Sequence, residues 1–511
     1  MGTGRRATAL TLIGIVALWE IAGDLDLVAS GALPSPSEIL VAFWRDKADY
    51  WPHILATVRT AAIGFVIGNA VAILAAILFV RVPASERLAR GINIAIFALP
   101  PIAIVPVLVI ALPGEGARLA LAALAVYFPT MTAMTVGLRE IDPRVVDVVR
   151  AYGGGDGAVM RWVRLRSSLP ALLGGLRVAA PNAVLGAILA EFGSGSRYGL
   201  GAYLLGSLGR ADPARLWGIG LAATAIAGLG YALAALAAKR VTDASRAVTI
   251  ASGAMPPAKG RGQQRIAIAV ASFLLPFVVW WLLLWLGGLS PIIAKTPLGV
   301  FEYLFLPPTG ASARERLLAA LVETLPITVL GMAAGLAVAF LLAVLGAVRP
   351  GIVRALLPIA LVTQTMPLVA LTPLLVLIFG RGIAVTVAIT VSVTFFPAYV
   401  TLAQGLAMVP RAAFDLVGAY GARGWTAMRL VALPASLPWL FAAARLAVPR
   451  ALLGVMIAEW LATGRGLGNL LNQSRGYLDY GMIWSVALVS VLVSVALYQA
   501  AVMLERVATR R

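Results

Sequence analysis

No cysteine occurs among the 511 residues, and histidine occurs once, at His53. The first absence excludes disulfides and thiol chemistry. The second leaves a histidine-rich metal site without ligands and a serine–histidine nucleophile with a single candidate base. Charge is also scarce: 12% of residues are charged, against roughly 25% in soluble domains. Lysine stands only at Lys47, Lys239, Lys259 and Lys295, and none of the four closes a G-x-x-x-x-G-K-[ST] phosphate loop. Lys295-Thr296 follows Ala294 where that loop needs glycine. The chain is therefore not expected to hydrolyse ATP or to hold a cofactor or metal of its own.

What fills the sequence instead is apolar. Hydrophobic residues make up 61% of it, and the mean hydropathy is +0.93. No soluble fold of this size hides so much apolar surface, so most of the solvent is lipid. The net charge of +19 then reads as cationic loops that hold membrane helices in orientation rather than as a nucleic-acid surface.

Apolar windows fall at 7–23, 54–80, 92–112, 119–137, 178–191 and 216–238, then at 266–286, 324–348, 352–379, 383–406, 446–461 and 483–504. Each approaches the roughly 20 residues that cross a bilayer, with the fifth of each half short or broken. The reading is an all-α polytopic membrane protein of about 12 spans, six per half. The first window, behind Arg5 and Arg6, is read as a retained span rather than a cleaved signal. With both termini in the cytoplasm, the larger share of Lys and Arg falls on the cytoplasmic side of a plasma (inner) membrane.

The two halves repeat each other. At an offset of 268, Pro129 matches Pro397, Gly137 matches Gly405, Arg177 matches Arg445, Pro181 matches Pro449, and Ala190-Glu191 matches Ala458-Glu459. At 267, Thr57, Gly64 and Gly68 match Thr324, Gly331 and Gly335. Six spans per half give both copies the same direction, so the repeats are parallel, with a path expected between them. The organisation expected is a first transmembrane domain at 1–240, a polar linker rich in Pro and Gly at 241–264, and a second transmembrane domain at 265–511.

The least lipid-like part of the repeat is "DVVRAYGGGDGAVMRWVRLRSSLP" (147–170), which returns as "DLVGAYGARGWTAMRLVALPASLP" (415–438) with 12 identities and no gap. Each copy reads as a helical run from the aspartate to a glycine, a sharp reversal, and a second helical run to prolines that fix the exit into the next span. It is too charged to insert in lipid and suits a knob for a soluble partner.

This pattern resembles the EAA loop of ABC importer permeases: an acid, a glycine six residues on, and prolines 13 and 17 residues after the glycine. Asp415, Gly421, Pro434 and Pro438 keep the full spacing. Asp147, Gly153 and Pro170 keep it with Arg166 at the first proline position. Further stretches resemble the nitrate/sulfonate/taurine-type branch: "LPSPSEILVAF" (33–43), "TMPLVALTPLLVLIFG" (365–380), "FFPAYV" (395–400), "RLAVPRALLGVMIAEW" (445–460) and "GRGLG" (464–468).

The resemblance implies two permease units fused in one chain. It implies two cytoplasmic ATPase subunits, which carry the ATP and Mg, and an extracytoplasmic binding protein that delivers a small polar or anionic solute. Nitrate, sulfonate, taurine or pyrimidine-like compounds are the classes suggested. It assigns ATPase coupling to Asp147, Tyr152, Gly153, Arg161, Pro170, Asp415, Tyr420, Gly421, Arg429, Pro434 and Pro438.

Candidate path residues each carry a second reading. Glu191 and Glu459 stand late in the fifth span and either line the path or cap a turn. Arg450 attracts an anion or snorkels, and its counterpart is Asn182. Gln364 and Thr365, just before Pro367, either line the path or bond a neighbouring helix. His53, beside Trp51 and Pro52, reads as an interface residue. Gly64, Gly68, Gly331 and Gly335 read as helix-packing pairs, and Trp280, Trp281 and Trp285 as lipid or interface anchors. Two other classes compete. An ion-coupled secondary transporter shares the six-plus-six repeat but needs no duplicated elbow. A membrane-embedded enzyme needs a catalytic cluster that is not seen.

Overall fold

The computed structural model describes residues 2–27, 31–112, 114–210, 212–241, 262–349, 351, 366, 368–422 and 424–508. The first half contains α1 (Gly2–Asp24), α2 (Pro36–Arg45), α3 (Lys47–Arg81), α4 (Pro83–Ala98), α5 (Pro101–Ala111), α6 (Gly116–Arg139), α7 (Pro143–Ala151), α8 (Leu169–Ser194), α9 (Leu200–Ser207) and α10 (Pro213–Val241). The second contains α11 (Gly262–Leu286), α12 (Pro297–Phe305), α13 (Gly310–Val348), α14 (Leu368–Phe379), α15 (Ile383–Ala407), α16 (Arg411–Ala419), α17 (Leu433–Ala458), α18 (Gly466–Gly476) and α19 (Tyr480–Ala508). The chain is an all-α polytopic membrane protein.

Nine helices among the described residues are long and apolar enough to cross a membrane, or ten if α4 and α5 form one bent span. The apolar window at 7–23 falls on α1, and the window at 352–379 is described only from residue 366 onward. The linker 241–264, Gln364 and Thr365 lie wholly or mostly outside the described residues.

Two expectations about spans are corrected. The window at 92–112 is not one helix: α4 and α5 meet at 107°. Leu99 and Pro100 are extended, with ψ of 119° and 116°, because a residue before proline is pushed out of the helical region. The fifth spans, in turn, are neither short nor broken. α8 and α17 are each 26 residues long. Their apolar windows begin only after Arg177 and Arg445 and are interrupted by Asn182 and Arg450, but helix geometry continues through all four residues.

Within each half the second, fourth and fifth spans pack closely: α3, α6 and α8 in the first, and α13, α15 and α17 in the second. The packing glycines act as their spacing predicts. A Cβ at Gly64 or Gly68 would meet Ala122, Ala123 and Val126 of α6, and one at Gly331 or Gly335 would meet Thr390 and Thr394 of α15. Buried Thr328, Thr390 and Thr394 donate to carbonyls four residues back at 2.7–2.8 Å, which satisfies these three hydroxyls within their own helices. Leu74, Val66, Leu341 and Val322 point outward and are exposed, as lipid-facing side chains must be.

The halves meet with pseudo-two-fold correspondence. α5 of the first half packs on α19 of the second, and α14 of the second packs on α10 of the first. At that end one apolar core runs through both halves, joining Ile102, Val107 and Ile188 to Met456, Leu467 and Ile483. At the other end the cores are separate: Ala76, Met134, Leu138 and Met160 in the first half, and Ala339, Ala343, Ala398, Leu402 and Ala443 in the second. Trp280 is not a lipid anchor, since it stacks on Trp484 at 5.3 Å and 4°. Trp281 and Trp285 are exposed.

Candidate functional site

The repeated elbow takes the same shape twice. Its first limb starts four residues before the expected aspartate in each copy, at Pro143 in α7 and Arg411 in α16. In the first copy Asp142 caps the limb by accepting from the Arg144 N–H at 2.9 Å. Both limbs end on a tyrosine followed by a left-handed glycine, Gly153 at φ +83° and Gly421 at φ +82°. The orphan carbonyls are satisfied identically. Gly153 N–H donates to Arg150 and Gly154 N–H to Val149, each at 2.9 Å; Gly421 N–H donates to Gly418 at 2.9 Å and Ala422 N–H to Val417 at 3.0 Å. This is the Schellman arrangement, which requires positive φ at the glycine.

After the turn each copy winds through a π-helical stretch, Val159–Arg164 and Met428–Ala432, a feature that concentrates at functional sites. The second limb then leads into the fifth span, with a turn at Ser168 in the first copy and without a break in the second. Pro170 and Pro434 sit in the first helical turn, and Pro438 lies inside α17. In the second half elbow and span form one helix of 39 residues, Trp425–Thr463. Arg164 fastens the first elbow by donating to the Leu138 carbonyl at 2.8 Å, at the end of α6.

Neither α7 nor α16 buries a single residue. Tyr152 is 90% and Tyr420 86% exposed. Val148, Trp162, Leu416, Trp425 and Leu430 are exposed with them. Asp147, Asp415 and Arg429 are exposed as well. Arg161 and Arg166 flank the Trp162 ring, with guanidinium carbons 5.3 and 4.7 Å from its centroid. Two short helices with aromatic tips and charged flanks, which bury none of their residues, form surfaces suited to a protein partner.

At the opposite end of the fifth spans, Glu191 and Glu459 are buried, 0% and 2% exposed. Each is held by one hydroxyl and one backbone N–H. Thr57 Oγ donates to Glu191 at 2.8 Å and Gly201 N–H at 3.1 Å. Thr324 Oγ donates to Glu459 at 2.6 Å and Gly468 N–H at 2.8 Å. The same threonines accept from the Leu200 and Leu467 N–H groups at 2.8 and 2.9 Å. The geometry matches the turn-capping reading: each carboxylate ties the end of a fifth span to the start of the following short helix and to the second span. His53 joins this brace in the first half. Gly199 N–H donates to its Nδ1 at 3.0 Å, and its ring stacks on Tyr203 at 4.6 Å. It is a packed residue rather than a simple interface residue.

Arg450 and Asn182 stand at equivalent positions inside α17 and α8. Both are half-buried, and neither has a hydrogen bond or ion pair among the described residues. Arg445, by contrast, is paired with Glu505 of α19. Sequence reasoning did not anticipate the ring contact between Phe192 and Trp460, 5.3 Å apart at 67°. The only signal was that each follows an equivalent glutamate.

Outside the spans, Asp46 bridges the end of α2 and the start of α10. It accepts from Arg45 at 3.0 Å and from Arg215 at 2.6 Å. The Arg45 hydrogen bond, with help from Arg215, holds the Asp46 carboxyl below its ordinary range against the opposing effect of burial.

The chain is similar to several permeases. It is 32% identical over 157 residues to the riboflavin transport system permease protein of Chloroflexus aurantiacus, a match covering 31% of this chain and 59% of that protein. It is 33% identical over 173 residues to the formylaminopyrimidine transport permease protein of Halalkalibacterium halodurans, covering 33% of this chain and 69% of the relative. Against the putative aliphatic sulfonates transport permease protein of Escherichia coli it is 30% identical over 182 residues, covering 35% and 69%. The chain thus spans 59% of the length of the riboflavin relative and more of the other two. The model of the binding-protein-dependent transport system inner membrane component family matches at residues 68–247 and again at 335–510. These two matches, which together cover more than half of the chain, make it a member of that family of ABC transporter permeases, with the family's domain carried twice.

Proposed function

We propose that this one chain supplies both membrane halves of an ABC importer, as units 1–240 and 265–511 joined by the linker 241–264. Its termini and both elbows face the cytoplasm of a multi-pass inner-membrane protein. Two ATPase subunits, carrying ATP and Mg, dock on Asp147–Pro170 and Asp415–Pro438. A binding protein delivers solute on the other face. The observation that carries this reading is the duplicated elbow: two helices with the same glycine C-cap and no buried residue, with exposed tyrosines at their tips. Closing of the ATPase pair on nucleotide draws the elbows together and rocks one half against the other.

The path runs between the halves. Arg450 and Asn182 line it, with Gln364 and Thr365 from the third span of the second half; Glu191 and Glu459 brace its outer end. An arginine inside a span, with no ion pair among the described residues, favours an anionic or polar solute. The solutes named for the relatives, riboflavin, formylaminopyrimidine and aliphatic sulfonates, lie within that range.

The test is reconstitution of the chain with its ATPase and binding protein in proteoliposomes. Uptake of a sulfonate, riboflavin or a pyrimidine is expected to require ATP. Arg450→Gln is expected to slow an anionic solute more than a neutral one. Uptake driven by an ion gradient without ATP would overturn the reading.

A further inference from the structure

Phe192 and Trp460 occupy the same position in the two repeats, 268 residues apart, yet their rings touch at 5.3 Å. Equivalent residues can meet only where the axis relating the two halves passes between them. In parallel repeats that axis is also the direction of the path. The two rings therefore cross the path, and Phe192 is only 1% exposed. Arg475 of α18 lies over the Trp460 ring, its guanidinium carbon 5.3 Å from the ring centroid, with no ion pair among the described residues.

Three neighbouring features fit a closure that opens. The rings directly follow Glu191 and Glu459, so the paired braces to Thr57 and Thr324 fix the ends on which they sit. The apolar core is continuous between the halves at this level and divided at the elbow end. The helix carrying Trp460 is the one that begins in the elbow, Trp425–Thr463. At 1.5 Å per residue it is a rod of about 58 Å. A push on the elbow reaches the ring through a single helix.

We infer that Phe192 and Trp460 form an aromatic gate that seals the path at the end far from the elbows, with Arg475 holding the Trp460 ring in place. Apolar constrictions of this kind block solute and ions by excluding water. The inference rests on the permease reading and adds the residues and the state: sealed at the gate, divided at the elbows.

The absence of native cysteine makes the test clean. The paired variant Phe192→Cys and Trp460→Cys, assembled with the ATPase and binding protein, is treated with a short bifunctional thiol reagent. Cross-linking is expected without nucleotide and is expected to fall at least tenfold when ATP and vanadate trap the complex. Separately, Phe192→Ala with Trp460→Ala is expected to raise iodide leak from proteoliposomes about tenfold, and Arg475→Ala is expected to raise it less. Trp460→Phe is expected to keep the seal, a rescue that a merely misfolded protein would not show. Cross-linking blind to nucleotide in a complex that still imports with ATP, or an alanine pair that does not leak, overturns the gate alone. A wild-type complex that imports without ATP overturns the permease reading, and the gate with it.

Discussion

Replacing Gly421 by alanine or valine isolates the geometry of the elbow from its packing. At φ +82° an L-residue is strained by about 1–2 kcal/mol, with valine at the upper end because of its β-branch. A Cβ there meets nothing within 4 Å, and the same holds at Gly153. No clash adds to the backbone cost. Because α16 buries no residue, the strain is relieved by opening the turn, which breaks the 2.9 and 3.0 Å bonds to Gly418 and Val417 and leaves the transmembrane bundle intact. The melting temperature in detergent is expected to stay within experimental error. Affinity for the purified ATPase, measured by titration, is expected to fall about 5- to 30-fold, since about 1.4 kcal/mol is tenfold. Gly418→Ala supplies the control. It adds the same methyl three residues away in open space at an interior helical position, where alanine is favoured by about 0.5–1 kcal/mol. If Gly153→Val with Gly421→Val binds the ATPase as tightly as the wild type, the turn does not present the docking surface and the reasoning fails.

Two further outcomes follow from the braces and the Asp46 bridge. Thr324→Ala removes one of the two donors to the buried Glu459 carboxylate and the acceptor of the Leu467 N–H; a loss of about 1–3 kcal/mol is expected in thermal unfolding, as for Thr57→Ala. Serine at either site is expected to restore most of it, and equal loss with serine would point to the methyl instead of the hydroxyl. Asp46 has its carboxyl pKa lowered by Arg45, so its contribution is fully present above the ordinary value of 3.8 and disappears as pH falls through the lower folded value. Melting curves from pH 6 downward are expected to show that loss in the wild type. Asp46→Asn, which leaves the buried Arg215 unpaired, is expected to melt lower at pH 6 with a flatter acid limb; an unchanged acid limb would remove Asp46 from the account.

The sequence was most readable where composition or spacing has one physical meaning. Scarce charge and long apolar runs dictate lipid-exposed helices, and a glycine six residues beyond an aspartate, twice, dictates the capped elbow. The glycine pairs at 64 and 68 and at 331 and 335 announced close helix packing, which the contacts of α3 and α13 bear out. What stayed hidden depended on tertiary placement. An apolar window does not reveal whether Leu99-Pro100 bends a span, because proline is tolerated within α3, α6, α8 and α15 of this same chain. The fifth spans looked short because polar residues interrupt the apolar window, yet a helix needs no apolar side chain to continue. Glu191 and Glu459 could be placed at a helix end but not matched to Thr57 and Thr324, whose hydroxyls reach them from more than 130 residues away. The meeting of Phe192 with Trp460 required knowing where the axis between the repeats passes.

The most direct measurement places a photo-cross-linking amino acid at Tyr152 and, separately, at Tyr420, in cells that co-express the chain with its ATPase. Irradiation is expected to join the chain at both positions to a protein that carries the G-x-x-x-x-G-K-[ST] loop this chain lacks. The same label at Trp44, exposed on α2, is expected to give no such product. Elbows that capture no ATPase, or that react with a membrane-impermeant reagent added outside intact cells, would contradict the account.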